Sequence, residues 1–325
     1  NRLMFKPNFL ARFKSFLGIN KNNPRQKQLR NFSWNMEIFN DSPESAQGEL
    51  FLPLPLELSS QKIIGDIVFK PIIDKMAAEE TYRNHYASWN ILLKPGEKKS
   101  FLCQFQAEIS PVKFLFQNKF LLSDYAAIKS KNEIWFSANR FLQPENPEIQ
   151  KIAKNISRVE KDVFKILKKL NAYIANRLKY GQPILGLYST NDALNKDLVD
   201  CGGFASFFAS LCISLGIPAR IVSGFWAGYD DNAMHVWVEI QLPDESWTPA
   251  DPTVENLRAL GRTRKNGELG FIGSDRVIFS YGCDLTIETN TSKIQIDILQ
   301  NPFYKGTLEE KIKIKHNLKT NPIII

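Results

Sequence analysis

Cys201, His235 and Asp251 are the residues of this chain whose types and spacing could do chemistry. Cys201 opens the run Cys201-Gly202-Gly203, after which Phe204, Phe207, Phe208, Leu211, Cys212 and Leu215 recur at helical spacing until Gly216 and Pro218 stop them. A cysteine at a helix start meets the macrodipole and unpaired backbone N–H groups, which favour an anion, and thiols so placed titrate at about 3.5 to 7.5. The expectation is an activated thiolate, with the two glycines leaving the backbone open to a substrate.

Acyl transfer by a thiol also needs a base. Of the three histidines, His85 lies in a β-rich segment and His316 in a Lys-rich end, whereas His235 begins the alternating run His235-Val236-Trp237-Val238-Glu239-Ile240. That run reaches Gln241, turns through Leu242-Pro243-Asp244-Glu245-Ser246 and returns as Trp247-Thr248-Pro249-Ala250-Asp251. A turn centred near Pro243 sets Asp251 opposite His235 on the paired strand. A carboxylate there holds the imidazole's tautomer, and nucleophile, base and orienting acid together form a catalytic triad.

The elements that must position these residues are helices first and strands second. Asn146-Pro147-Glu148 marks a helix start. Val159, Val163, Ile166, Leu167, Leu170, Tyr173, Ile174 and Leu178 continue the helical repeat, with Lys161, Lys165, Lys168, Lys169 and Arg177 largely off that face. The nucleophile helix and short strands follow as far as about Ile298, so one helix should pack on an antiparallel sheet in an α+β domain. Upstream, Phe101, Cys103, Phe105, Ala107 and Ile109 alternate with mostly polar neighbours, and Pro95-Gly96-Glu97 predicts a hairpin with Tyr86–Leu93. The reading is a basic tail at residues 1–30, an N-terminal β-sandwich domain at 31–140 and a catalytic domain at 141–325 that includes the C-terminal strands.

The formal charge of +8 has a local source. Arg2, Lys6, Arg12, Lys14, Lys21, Arg25, Lys27 and Arg30 face no acid within the first thirty residues, and beyond them cations and acids are equal in number. The body is therefore not a nucleic-acid-binding surface. Phe5, Phe9, Phe13 and Phe16 approach helical spacing, which with the flanking cations allows a weak membrane-surface contact, but Lys6 and Pro7 spoil the pattern and a solvated tail is preferred. Arg220 interrupts the longest apolar stretch, Leu211–Ala227, short of the ~18 uncharged residues of a membrane span. The chain as given reads as soluble. Opening on Asn1, with no initiator Met, suggests that upstream residues are missing, which leaves room for an export signal or anchor, and compartment and oligomeric state are left unassigned. Cys103, Cys212 and Cys283 read as packing residues, no cysteine pair has zinc-ligand spacing, and no cofactor is expected.

Three blocks of text resemble the transglutaminase-like superfamily of papain-like cysteine enzymes. Asp200-Cys201-Gly202-Gly203-Phe204-Ala205, running into Leu215-Gly216-Ile217-Pro218-Ala219-Arg220 and Val222-Ser223-Gly224, is similar to its nucleophile helix and following strand. His235-Val236-Trp237-Val238-Glu239 and Trp247-Thr248-Pro249-Ala250-Asp251-Pro252-Thr253 resemble its histidine strand and its aspartate. Asp275-Arg276-Val277-Ile278-Phe279-Ser280 looks like the stretch just after the core in bacterial members, and Leu52-Pro53-Leu54-Pro55, Gln61 and Asn84 resemble a preceding β-domain, although His85 stands where glycine is frequent.

The resemblance implies a papain-like core, with Cys201 as nucleophile, His235 as base and then acid, and Asp251 orienting the imidazole. It also implies an oxyanion hole containing the Cys201 backbone N–H, with Tyr180, Gln182 and Tyr188 open as the second donor. The expected activity is cysteine-dependent acyl transfer on protein or peptide amides through a thioester, with hydrolysis preferred over deamidation and crosslinking. A non-enzymatic protein-binding module and a membrane-surface adaptor are the alternatives.

Overall fold

A computed structural model describes residues 23–322 apart from 117, 129–132 and 230–231. Phe5, Phe9, Phe13, Phe16 and most of the basic tail lie outside the described residues. The last cation assigned to the tail does not belong to one, because strand β1 (Gln28–Asn40) begins before Arg30 and buries it.

Strands β1, β2 (Ala46–Pro53), β3 (Gln61–Lys70), β4 (Lys75–Ala78), β5 (His85–Leu93) and β6 (Lys98–Ile109) come first among the described residues. β1 and β6 bury alternate residues, Phe32, Trp34, Met36 and Ile38 against Phe101, Cys103, Phe105 and Ala107, as strands covered on one face do. The predicted β5–β6 hairpin does not form. The two strands lie in different sheets, because Asn40 at the end of β1 captures the connecting turn: its amide donates to the carbonyls of Leu93 and Lys94, and its backbone bonds Gly96 and Glu97.

The chain passes through β7 (Val112–Lys113) to helices α1 (Pro147–Ser157) and α2 (Val163–Arg177). Val159, expected on the buried face, is instead 86% exposed. Residues 159–162 lie outside both helices, where Glu160 accepts from the N–H groups of Lys161 and Asp162, while 161–163 bond back to 120–122. Asp162 then caps α2 by accepting from the Lys165 N–H.

Short parallel strands β8 (Lys179–Tyr180) and β9 (Leu198–Val199) bracket α3 (Thr190–Asn195) and lead into α4 (Cys201–Ser214). α4 is apolar almost all round and is buried from Gly202 to Ile213, which suits a central helix. Strands β10 (Ala219–Trp226), β11 (Met234–Gln241) and β12 (Trp247–Ala250) follow, then α5 (Pro252–Ala259), β13 (Phe271–Ile272), which pairs with β7, and β14 (Arg276–Tyr281). The core sheet runs β12–β11–β10–β14. Val236, Val238 and Ile240 turn one of its faces toward α4, in a cluster that also holds Phe204, Phe207 and Phe208.

The hairpin of β15 (Leu285–Glu288) and β16 (Lys293–Ile296) leads to β17 (Phe303–Gly306) and β18 (Ile312–Pro322). Here the expected division into 31–140 and 141–325 is corrected. β18 pairs along β1, and β17 along β2, so the last strands complete the N-terminal sandwich, whose sheets run β18–β1–β6–β3 and β17–β2–β5–β4. Without β18, β1 would present a long unpaired edge.

The sandwich is also fused to the core. Phe225, Val277 and Phe279 of the core sheet sit in the sandwich's apolar cluster, with Trp34 packed edgewise on Phe225 and Phe279 at centroid distances of 5.2 and 4.9 Å. Two buried amides lock the seam by imitating a strand neighbour. Gln61 donates to the carbonyls of Leu56 and Ile278 and accepts from the Ile278 N–H, each at 2.8 Å, while Asn84 donates to and accepts from the backbone of Tyr281 at 2.7 Å.

Candidate active site

Cys201 is the first residue of α4, partly exposed where the other three cysteines are buried. Asp200 precedes it as N-cap, its Oδ1 accepting from the N–H groups of Gly202 and Gly203 and its Oδ2 from that of Ile184. The expectation of a lowered thiol is not met in the resting structure. Burial, with the carboxylates of Asp200 and Asp251 adding to it, pushes the thiol up to about 12, against the backbone N–H groups of Val236 and Gly202 that favour the thiolate. The helix start was expected to welcome an anion, and it does so, but the anion it holds is Asp200.

The two glycines are likewise corrected. A Cβ on Gly202 would meet Leu187 at 2.8 Å and one on Gly203 would meet Val199 at 2.6 Å, so they permit close packing and do not open the backbone to solvent.

His235 is buried near the start of β11, beside Val236, whose N–H lies near enough to the Cys201 sulfur to favour its thiolate. Its Nε2 lies 2.7 Å from Oδ2 of Asp251. The register that joins them differs from the expected one. β11 and β12 pair Val238 with Ala250 and Ile240 with Thr248, which sets Asp251 level with Trp237 and two residues away from His235. A slip of two keeps every side chain on its expected face, so the carboxylate still reaches the imidazole diagonally. Asp251 lies just past the strand and caps α5, its Oδ1 accepting from the Val254 N–H at 3.0 Å.

A third charged group completes the arrangement. Arg276, at the start of β14 and fully buried, donates from Nη1 to the same Oδ2 of Asp251 at 2.6 Å. Burial by itself would raise the Asp251 carboxyl, but His235, which bonds to it, and the charge of Arg276 hold it far below the usual carboxylate range. Burial lowers the pKa of His235, only partly opposed by Asp251, so the resting imidazole is neutral. Since Asp251 is ionised, His235 donates from Nε2 and keeps the Nδ1 lone pair free to act as the base.

Sequence reasoning named Arg276 without giving it a role and gave none to Trp226. A charge heading the apolar run Val277-Ile278-Phe279 was a usable signal, since a buried cation demands a partner. Trp226 stacks on the imidazole at 4.5 Å, while Phe225 and Trp237 are core residues. Gln300 was not singled out at all, although its amide donates to the carbonyls of Gly224 and His235 and fixes the two strands beneath the site.

Residues 150–252, which contain Cys201, His235 and Asp251, match the family model of the transglutaminase-like superfamily. No curated protein matches the chain. Among solved structures, a candidate cysteine protease from Cytophaga hutchinsonii aligns with a TM-score of 0.60 over 92% of this chain and 93% of its own, at 13% identity. The periplasmic domain of TgpA from Pseudomonas aeruginosa aligns at 0.36, with 14% identity over 81% of this chain and 100% of its own. A candidate protease from Parabacteroides distasonis aligns at 0.30, with 13% identity over 66% and 42%. The mixed α and β core seen here is thus the transglutaminase-like one, and residues 150–252 belong to the transglutaminase-like superfamily.

Proposed function

We propose that this chain is a cysteine-dependent acyl-transfer enzyme acting on protein or peptide amides, with Cys201 as nucleophile, His235 as base and acid, and Asp251 as the residue that orients the imidazole. The observation that carries the reading is the buried 2.7 Å bond between His235 and Asp251 on the strand whose next N–H favours the Cys201 thiolate. The Cytophaga protein's description as a candidate cysteine protease leans the same way.

Nδ1 of His235 takes the thiol proton as Sγ attacks the amide carbonyl. The tetrahedral oxyanion collapses to a thioester, the C–N bond breaks, and the imidazolium returns its proton to the leaving ammonia or amine. Water, deprotonated by the same nitrogen, then cleaves the thioester and restores the thiol. Hydrolysis is the preferred outcome, and water is always at hand whereas crosslinking needs an amine-binding groove.

Charge on the carbonyl oxygen would be met by the Cys201 backbone N–H and by Tyr180. Of the three tyrosine and glutamine candidates, Tyr188 already donates its hydroxyl to the Gln182 carbonyl at 3.0 Å. Tyr180 adjoins the site through the β8–β9 pairing, and burial followed by the charge of Cys201 raises its phenol to about 12, so it remains a neutral donor.

Incubation with a mixed peptide library separates the outcomes by mass spectrometry. New termini would report hydrolysis, conversion of Gln to Glu would report deamidation, and isopeptides would report crosslinking. Products formed equally by Cys201→Ala would overturn the reading.

A further inference from the structure

Arg276 takes no part in the steps above, lies beyond the segment that matches the family, and is nevertheless built into the site. Its Nη1 and the Nε2 of His235 converge on a single oxygen, Oδ2 of Asp251, at 2.6 and 2.7 Å. Its Nη2 donates to the Asn266 carbonyl, and a Cβ on the adjacent Gly267 would come within 2.3 Å of that nitrogen and 2.9 Å of Oδ2, so the pair is closed over by bare backbone. The other carboxylate oxygen is committed to the Val254 N–H. With both oxygens engaged from three directions, the carboxylate cannot turn.

We infer that Arg276 is a positioning residue for this site, pinning the oxygen of Asp251 that faces His235 and thereby fixing both the direction and the strength of the bond that the imidazole receives. The inference rests on the proposed role of His235 as base. A guanidinium that shares Oδ2 draws carboxylate charge away from the imidazole and repels a proton on it, so an imidazolium gains less here than beside an unshared carboxylate.

Other charges act on the same groups. From the α4 end, Cys201 and Asp200 face the site, and Lys265 reaches His235 electrostatically from above the Trp226 ring at 4.3 Å. Tyr180, Glu255 and Arg262 neighbour the site from β8, α5 and the segment after α5. Asp275 lies 3.9 Å from the Arg276 Nε and binds the Tyr229 hydroxyl, with Arg30 of β1 beyond it. Arg276 bonds directly to Asp251.

The test is a pH titration of the His235 ring by NMR in the full chain. Arg276→Gln keeps an N–H donor toward Asp251 and removes the charge, and should raise the midpoint by about one pH unit. Arg276→Lys keeps the charge and should titrate close to wild type. A folded Arg276→Gln protein with the wild-type midpoint would overturn the inference. If that variant does not fold, the wild type decides: the guanidinium resonances of Arg276 must shift at the pH where His235 titrates, and guanidinium signals indifferent to that step would equally overturn it. The proposed function fails on a different result, namely Cys201 alkylation that is unaffected by His235→Gln, which leaves the titration free to be judged.

Discussion

Replacing Asp251 with Asn separates two roles that the structure gives one side chain. Asn retains an oxygen for the Val254 N–H, so the cap on α5 survives. It loses the charge that both His235 and Arg276 use. In serine triads the comparable change costs about 10⁴ in rate, because the imidazole is held in the wrong tautomer; a thiol ionises more readily, so a loss of about 10² to 10⁴ is expected here. Arg276 is meanwhile left buried without its counter-ion, and breaking a buried pair costs about 3 to 5 kcal/mol. Against a typical total stability of about 5 to 15 kcal/mol, that predicts a melting temperature lower by about 4 to 7 degrees in a chain of this length. Asp244→Asn is the control, since Asp244 is exposed and accepts from Ser246 within its own turn. Turnover on the most active library peptide, with calorimetric melts, provides the assay. Equal activity and equal melting of the two variants would remove Asp251 from the site.

Acid should destabilise the fold in two windows, measured by denaturant titration across pH. The His235 pKa is lowered on folding, so the unfolded chain binds that proton more readily and stability falls once the pH drops below the unfolded value of about 6.5. The Asp251 pKa is also lowered, so its contribution is complete above the unfolded value of about 3.9 and is lost as pH falls below it; a flat profile through both windows would contradict the buried, charge-coupled site. Tyr180→Phe should lower kcat by about 10² or more with little change in KM, the signature of a lost oxyanion donor, and an unchanged kcat would discard that assignment. Gln61→Leu strips partners from the Ile278 backbone and the Leu56 carbonyl and should cost about 2 to 4 kcal/mol in urea unfolding, whereas a neutral result would mean that the seam is not held by these bonds.

Much of the site was legible because local rules and tertiary structure agree there. The apolar repeat after Cys201 is a helix, the alternation from His235 is a strand, and the return through Pro243 brings Asp251 to the correct face even though the register slips by two. The errors have a common cause, which is that sequence shows what an element can bury but not what covers it. β5 and β6 carry the pattern of a hairpin and are parted by the Asn40 side chain, which nothing near them announces. The C-terminal strands read as part of the nearest domain because their partners, β1 and β2, lie between 252 and 292 residues away in sequence. The helix-start rule for a low thiol pKa was silent about the burial that raises the thiol and about Asp200, the residue that uses the helix field.

The measurement that bears most directly on the central claim is the rate of Cys201 alkylation by iodoacetamide, followed by mass spectrometry from neutral to alkaline pH. Cys103, Cys212 and Cys283 are buried and serve as internal controls. If the imidazole held by Asp251 removes the thiol proton, Cys201 reacts first at neutral pH, and both His235→Gln and Asp251→Asn slow it by about 10²-fold while leaving the other three protected. Equal rates at all four cysteines, or a Cys201 rate indifferent to both substitutions, would contradict the account.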